Sequence, residues 1–215
     1  MVYDAIRTIR EYKVRNYKFY IADQGGMRMI QIYTGDGKGK TTAAFGLATR
    51  AAGHGFKVRV IQFMKGSTYS GELDSASKLG IEVFQFGRTC PHAAVIKTGF
   101  MKCCGCGECW VGLKEATELD IQKVKMAWQL AKNTVEQGKY DVLILDELLN
   151  TFRKNLLDVN DVASWLKQVP DELEVILTGR NAPSELIEVA HLVSEIKAVK
   201  HYFNKGVAAR RGIEY

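Results

Sequence analysis

The chain reads as an α/β protein of the P-loop NTPase-like (RecA-like) class, a mostly parallel sheet with helices on both faces. Three observations predict it. Apolar runs of strand length alternate with stretches of helical periodicity. A glycine- and lysine-rich turn joins one such run to a helix. A later apolar run ends in two acids, Asp146 and Glu147. Strands that alternate with helices need crossover connections, and these lay helices over both faces of a parallel sheet.

In chain order, residues 1–26 carry Arg7, Arg10, Lys13, Arg15 and Lys18 with Ile6, Ile9, Tyr12 and Tyr17 among them. This reads as a basic, amphipathic, helical extension. Met27–Tyr33 is the first strand of the main domain, followed by the turn Thr34–Thr42 and a helix near 43–52. Val58–Phe63, Ile81–Phe86, Val142–Leu145 and Leu173–Leu177 read as buried strands. Further helical stretches lie near 115–136, 159–168 and 183–190, with Pro183 at a start and Gly53, Gly55 and Gly138 at ends. Trp128 and Trp165 fall within helical stretches and read as core. No repeat or linker divides residues 27–215, so they form one domain with a cysteine-rich insert at about 88–112.

Composition agrees with a globular domain: 215 residues, 47% hydrophobic and 25% charged. No apolar run approaches the ~18 residues of a membrane span. The first residues lack the apolar centre of a signal peptide. The formal charge of +6 suits a polyanionic ligand such as a nucleotide. There is neither a long basic run nor a nucleic-acid motif, so nucleic acid is not an expected partner. Five cysteines in a P-loop chain point to a reducing cytoplasm rather than a disulfide framework.

The turn is Thr34-Gly35-Asp36-Gly37-Lys38-Gly39-Lys40-Thr41-Thr42. Its glycines let backbone N–H groups converge on an anion, Lys40 adds a point charge, and the Thr41 hydroxyl can ligate magnesium. The usual P-loop has a glycine six places before its lysine; here Thr34 stands there and Gly35 comes one place late. The run Asp141–Glu147 sets Asp146 and Glu147 at the carboxyl end of a strand, where parallel sheets bind ligands. There they can face a magnesium ion held by Thr41.

Six stretches resemble the P-loop corrinoid adenosyltransferases: Ile32–Ala48, Arg50–Gly55, Ile61–Gly66, Leu145–Leu148, Leu177–Pro183 and the tail Val199–Tyr215. The likeness runs from about residue 27 to 215 outside the insert, and the short P-loop is this family's form. The resemblance implies that reduced Co(I) corrinoid attacks the 5′ carbon of ATP and expels triphosphate, with Mg²⁺ (or Mn²⁺) as the metal. It implies ATP held in reverse, so that the ribose is exposed, with a ribose or phosphate role for Arg180 and site roles for Lys200 and His201. It also implies a homodimer and a reductase that supplies Co(I). Relatives carry aromatics over the corrin face after a stretch that here reads Phe86-Gly-Arg-Thr-Cys90. Phe100, Trp110 and Arg88 are the available corrinoid contacts.

The insert holds every cysteine: Cys90, Cys103, Cys104, Cys106 and Cys109, with His92 nearby. Cys103, Cys106 and Cys109 have Cys-x-x-Cys-x-x-Cys spacing around Gly105 and Gly107, which suits Zn²⁺ or an iron–sulfur cluster. The expected ligands are Cys90, Cys103, Cys106 and Cys109, with Cys104 or His92 as the alternate. Two rival functions remain at this stage. A phosphoryl-transfer ATPase or kinase would use the P-loop but not the tail motif, and a corrinoid carrier would need no triphosphate stabilisation.

Overall fold

The computed structural model describes residues 8–14, 17–23, 29–109 and 116–215. Thr8–Val14 (β1) and Tyr17–Asp23 (β2) pair antiparallel, from Thr8 opposite Asp23 to Val14 opposite Tyr17. The helical extension expected over 1–26 is therefore a hairpin at these residues. Ile9, Tyr12, Val14, Tyr17, Phe19 and Ile21 are β-branched or aromatic, and such side chains favour a strand over a helix. The rest of that expected helix lies outside the described residues.

The main sheet contains Ile30–Thr34 (β3), Val58–Phe63 (β4), Glu82–Phe86 (β5), Val142–Asp146 (β6), Glu174–Thr178 (β7) and Leu192–Glu195 (β8). Its order is β5-β4-β6-β7-β3-β8 and every pairing in it is parallel. Five of these strands match the apolar runs of the sequence. The sixth, β8, is an exposed edge strand with no buried face to write a pattern.

The helices are Lys40–Gly53 (α1), Gly71–Lys78 (α2), Ala93–Thr98 (α3), Glu118–Gln137 (α4), Leu149–Phe152 (α5), Val159–Leu166 (α6) and Ser184–Val189 (α7). Of these, α2, α3 and α5 were not foreseen: each has eight residues or fewer and buries one or two side chains. A capping box between Thr117 and Asp120 starts α4, and Gly138 ends it in the left-handed region at φ 58°.

Alternation along β6 shows why helices lie on both faces. Leu143 and Leu145 pack with Val124, Ala127 and Ala131 of α4, Val162 of α6 and Leu186 of α7. Val142 and Ile144 pack with Ala44 and Ala48 of α1 and Ala76 of α2. Successive side chains of a strand point to opposite faces, so each face acquires its own core. Trp128 and Trp165 meet edge to face at 4.8 Å between α4 and α6, half-buried against the first core.

Because the strands run parallel, the carboxyl ends of β3, β4, β6 and β7 open onto one edge of the sheet. The backbone is tightest beside that edge, where the segments after β4 and β5 meet. A Cβ on Gly66 would lie 2.1 Å from the Arg88 carbonyl oxygen, and one on Gly87 2.4 Å from Lys65 backbone. Gly66→Ala is expected to destabilise the fold by about 2 kcal/mol through forced backbone displacement. Gly53→Ala, whose Cβ meets nothing within 4 Å, is the control and should not destabilise. Urea unfolding of both variants checks the difference.

Candidate functional site

The turn between β3 and α1 forms a closed cradle. Lys40 opens the helix, is 8% exposed, and donates from Nζ to the carbonyls of Gly35 and Gly37, both at 2.7 Å. Burial lowers its ammonium below the usual lysine value; Glu147 opposes the shift and Arg180 adds to it. Gly39, the residue before the helix, sits at φ 121° and no side chain caps the helix start. That leaves N-terminal amides of α1 for an anion.

Two glycines of the turn answer to a second constraint. The segment after β8 passes so close that a Cβ on Gly35 or Gly37 would lie 2.5 or 2.6 Å from the Ile196 carbonyl oxygen. That oxygen accepts the Gly37 amide at 2.7 Å. The Gly37 amide is therefore spent inside the protein rather than turned to an anion, a correction to the expected convergence.

Asp146, at the end of β6, is fully buried and accepts three hydrogen bonds. Thr41 Oγ1 donates to Oδ1 at 2.8 Å, Thr178 Oγ1 to Oδ1 at 2.7 Å, and Gln62 Nε2 to Oδ2 at 2.9 Å. Gln85 Nε2 holds Gln62 Oε1 at 2.8 Å. Next in sequence, Glu147 takes φ 62°, a strained value for a non-glycine residue of the kind found at functional sites. Its N–H donates to Thr178 Oγ1 at 2.9 Å, and its carboxylate accepts from Asn150 Nδ2. Burial, then the neighbouring Asp146 charge, pushes the Glu147 carboxyl up to about 7, against the pull of Lys65, Lys40 and Arg180.

These groups edge a cavity of about 1310 Å³. It exceeds the ~300–1,000 Å³ of ordinary small-molecule pockets, leaving room for two ligands. Asp36–Thr42, Glu147 and Arg180 line it, whereas Thr34, Gly35 and Asp146 do not. Thr34 Oγ1 accepts the Ala182 amide at 3.2 Å, and Arg180 reaches Asp36 at 3.7 Å. His201 lines the cavity and Lys200 does not.

Several functional side chains escaped the sequence reading. Lys65, after β4, lies in the cavity wall bonded to Glu72 at 2.8 Å, and Gln62, Thr178 and Asn150 orient the two acids. The signal that could have found Lys65 and Thr178 is their place at the carboxyl ends of parallel strands.

Of the corrinoid contacts expected at Phe100, Trp110 and Arg88, the two described ones, Phe100 and Arg88, do not line this cavity. Phe100 is 90% exposed, Arg88 pairs with the Asp120 carboxylate of the α4 capping box, and Trp110 lies outside the described residues. The side chains expected at the thiolate site are not grouped. Cys90 is buried, Cys103 and Cys109 half-buried, Cys104 and Cys106 exposed. Among the described residues no three cysteine, histidine or acidic side chains are grouped to hold a metal ion. The Cys103 thiol instead accepts from Tyr69 Oη at 3.4 Å, and its amide donates to Tyr215 Oη at 3.2 Å.

Comparison with known proteins accords with the geometry. The family described as ATP:corrinoid adenosyltransferase BtuR/CobO/CobP matches residues 26–215. A corrinoid adenosyltransferase of Escherichia coli K12 is 39% identical over 187 residues, covering 87% of this chain and 85% of the relative. Corrinoid adenosyltransferase CobA of Salmonella typhimurium is 37% identical with the same coverage. One from a Sinorhizobium species is 35% identical over 188 residues, 87% of this chain and 80% of the relative.

The raised Glu147 carboxyl sets a sign for stability. Between the ordinary glutamate value and about 7, folded chains bind this proton and unfolded chains have lost it. The contribution is therefore fully present at low pH and is lost as pH rises through the folded value. Melting temperatures of the ligand-free protein from about pH 5 to about pH 8 should show this decline, and Glu147→Gln should flatten it.

Proposed function

The chain belongs to the ATP:corrinoid adenosyltransferase family, and on that premise we propose how its cavity carries out adenosyl transfer. The triphosphate of ATP lies on the turn Thr34–Thr42 and the start of α1, and the ribose faces the remaining space, where the corrinoid approaches. The observation that carries this reading is the convergence of Lys40, Thr41 and Glu147 on one cavity wall above the buried Asp146.

The reaction forms a cobalt–carbon bond as the bond from C5′ to the triphosphate oxygen breaks. Both electrons of the new bond come from Co(I), and the electron pair of the broken bond leaves with the triphosphate. No proton is removed from the carbon, so no general base is required. The protein must position C5′ and stabilise the charge that builds on the leaving group. Lys40 is held along the loop by two carbonyls and can exchange them for phosphate oxygens. Lys38, in the cavity lining, adds a second cation and Arg180 a third.

Thr41, Asp146 and Glu147 are the residues that would hold magnesium. They offer oxygen donors alone, and the Thr41 hydroxyl lies 2.8 Å from Asp146, a set suited to a hard cation. Bound there, the ion would spread the charge of the departing triphosphate. The apolar lining from Phe45, Met64, Ile121 and Leu156 is the surface we assign to the corrin ring. The proposal includes a homodimer, a reductase that delivers Co(I) and a cytoplasmic location, each supported by the family resemblance alone. The zinc or iron–sulfur reading of the cysteine segment has no grouped ligand set behind it, and no step passes through it.

Anaerobic incubation with chemically reduced corrinoid and Mg-ATP should yield a light-sensitive adenosylated corrinoid and triphosphate in equal amounts. ADP formed in proportion to turnover, with no adenosylated product, would support phosphoryl transfer instead, and absence of turnover would support a carrier.

Lys40→Ala should cost on the order of 3 kcal/mol of transition-state stabilisation, near a hundredfold in rate. Steady-state kinetics under the same conditions measure it, and wild-type rates would remove the loop from the leaving-group site.

A further inference from the structure

The mechanism leaves the carboxylate of Glu214 unused, although it is the most heavily engaged group at the cavity mouth. Glu214 lies in the C-terminal tail, one residue before Tyr215, and its side chain is 13% exposed. Lys38 Nζ donates to its Oε1 at 3.0 Å. Tyr202 Oη donates to the same oxygen, as does Arg210 Nη2 at 3.2 Å. The other oxygen accepts the Arg210 amide at 2.6 Å and Arg210 Nε at 3.2 Å. Lys38 Nζ also donates to the Ile213 carbonyl at 3.2 Å, so two of its three N–H groups are fixed by the tail.

Gly212, Ile213, Glu214 and Tyr215 all line the cavity that holds the phosphate turn. The far end of the tail is tied down separately. Tyr215 stands edge-on to Tyr69 at 5.2 Å, and its hydroxyl accepts the Cys103 amide at 3.2 Å. The tail is thus a strap pinned by its last residues, Glu214 gripping the turn and Tyr215 the cysteine segment.

We propose that Glu214 is a positioning residue of the nucleotide site, whose carboxylate aims the Lys38 ammonium at the polyphosphate and clamps the C-terminal strap as the wall of the cavity. The proposal rests on the reading of Thr34–Thr42 as the triphosphate cradle and extends it to the end of the chain. Lys38 sits mid-turn and is more exposed than Lys40, so without an anchor it would lose side-chain entropy on meeting phosphate. Fixing it beforehand removes that cost from binding. A lone lysine beside the Arg210 guanidinium would also be repelled; the shared Glu214 oxygen lets both cations stand together. Charge and hydrogen bonding agree: Arg210, then Tyr202, hold the Glu214 carboxyl well below the usual range. Burial alone would lower the Lys38 ammonium, but the bonds to Glu214 and Tyr202 more than offset it and leave it raised.

A double-mutant cycle on the full-length protein tests this, using Glu214→Gln, Lys38→Met and the pair together. Dissociation constants for Mg-ATP without corrinoid and the KM–kcat split with Co(I) corrinoid are the readouts. Glu214→Gln should weaken Mg-ATP binding about tenfold and raise KM for ATP with a smaller change in kcat. In the Lys38→Met background the same substitution should add less than about twofold, since the residue it positions is gone. Additive effects of the two substitutions, or wild-type binding by Glu214→Gln, would overturn the proposal while leaving the cradle intact. Wild-type Mg-ATP binding by Lys38→Met would overturn it from the other side, because Lys38 would then have no phosphate to meet; the Lys40→Ala kinetics judge the cradle itself. Melting curves separate a misfolded variant from a weakened site, and Glu214→Asp, which keeps the charge, should recover binding more fully than Glu214→Ala.

Discussion

The Asp146 carboxyl sits with no exposed surface at the end of the central strand β6, and the arrangement around it follows from the need to satisfy its oxygens. Burying a polar group is costly unless hydrogen bonds replace its water. Asp146 obtains them from three different elements: Thr41 at the start of α1, Gln62 in β4 and Thr178 at the end of β7. Gln62 is in turn held by Gln85 of β5, so one network ties four strands to the helix that carries the phosphate turn. Among the described residues no buried side-chain nitrogen or oxygen lacks a partner. The distance from the turn to the acids is therefore set by fully satisfied bonds, and a loosely placed cradle could not position a reacting carbon.

The charges above that network are balanced for an anionic leaving group. Asp146 and Glu147 face Lys40, Lys65 and Arg180, and burial lowers Lys40 while raising Glu147. The strained backbone of Glu147 is held by its own amide on Thr178, which at the same time donates to Asp146. One threonine thus orients both acids, and the strain stays where it serves the site. Because Co(I) needs no base, what remains for the protein is electrostatics and placement, and the cavity provides for both.

The cysteine segment takes on meaning from its contacts rather than from its spacing. Its Cys103 bonds to Tyr69 through sulfur and to Tyr215 through its amide, while Arg211 donates to the Lys97 carbonyl. The segment thus buttresses the C-terminal strap, whose last residue, Tyr215, lines the cavity. Soft thiols with metal-like spacing remain compatible with such a packing role, since spacing describes reach and not grouping.

Much of the fold was written locally. The strands β3 to β7 and the helices α1, α4, α6 and α7 followed from runs of apolar residues and their periods, which depend on near neighbours in the chain. The turn, Thr41 and the two acids were legible for the same reason: each motif is contiguous, and its chemistry travels with its residue types. What required the folded chain was pairing over distance. The strand choice of Thr8–Asp23 comes from two segments meeting each other, and the exposed edge strand β8 bears no apolar pattern of its own. Gly35 and Gly37 read as anion-binding glycines, yet the approach of Ile196 is what excludes a side chain there. The acceptor for Lys38 lies 176 positions along the chain at Glu214, beyond anything periodicity or spacing can express. Sequence alone determined the strongly patterned elements and the chemical groups; tertiary structure decided the remaining elements and which groups meet, because burial and close packing are properties of distant segments brought together.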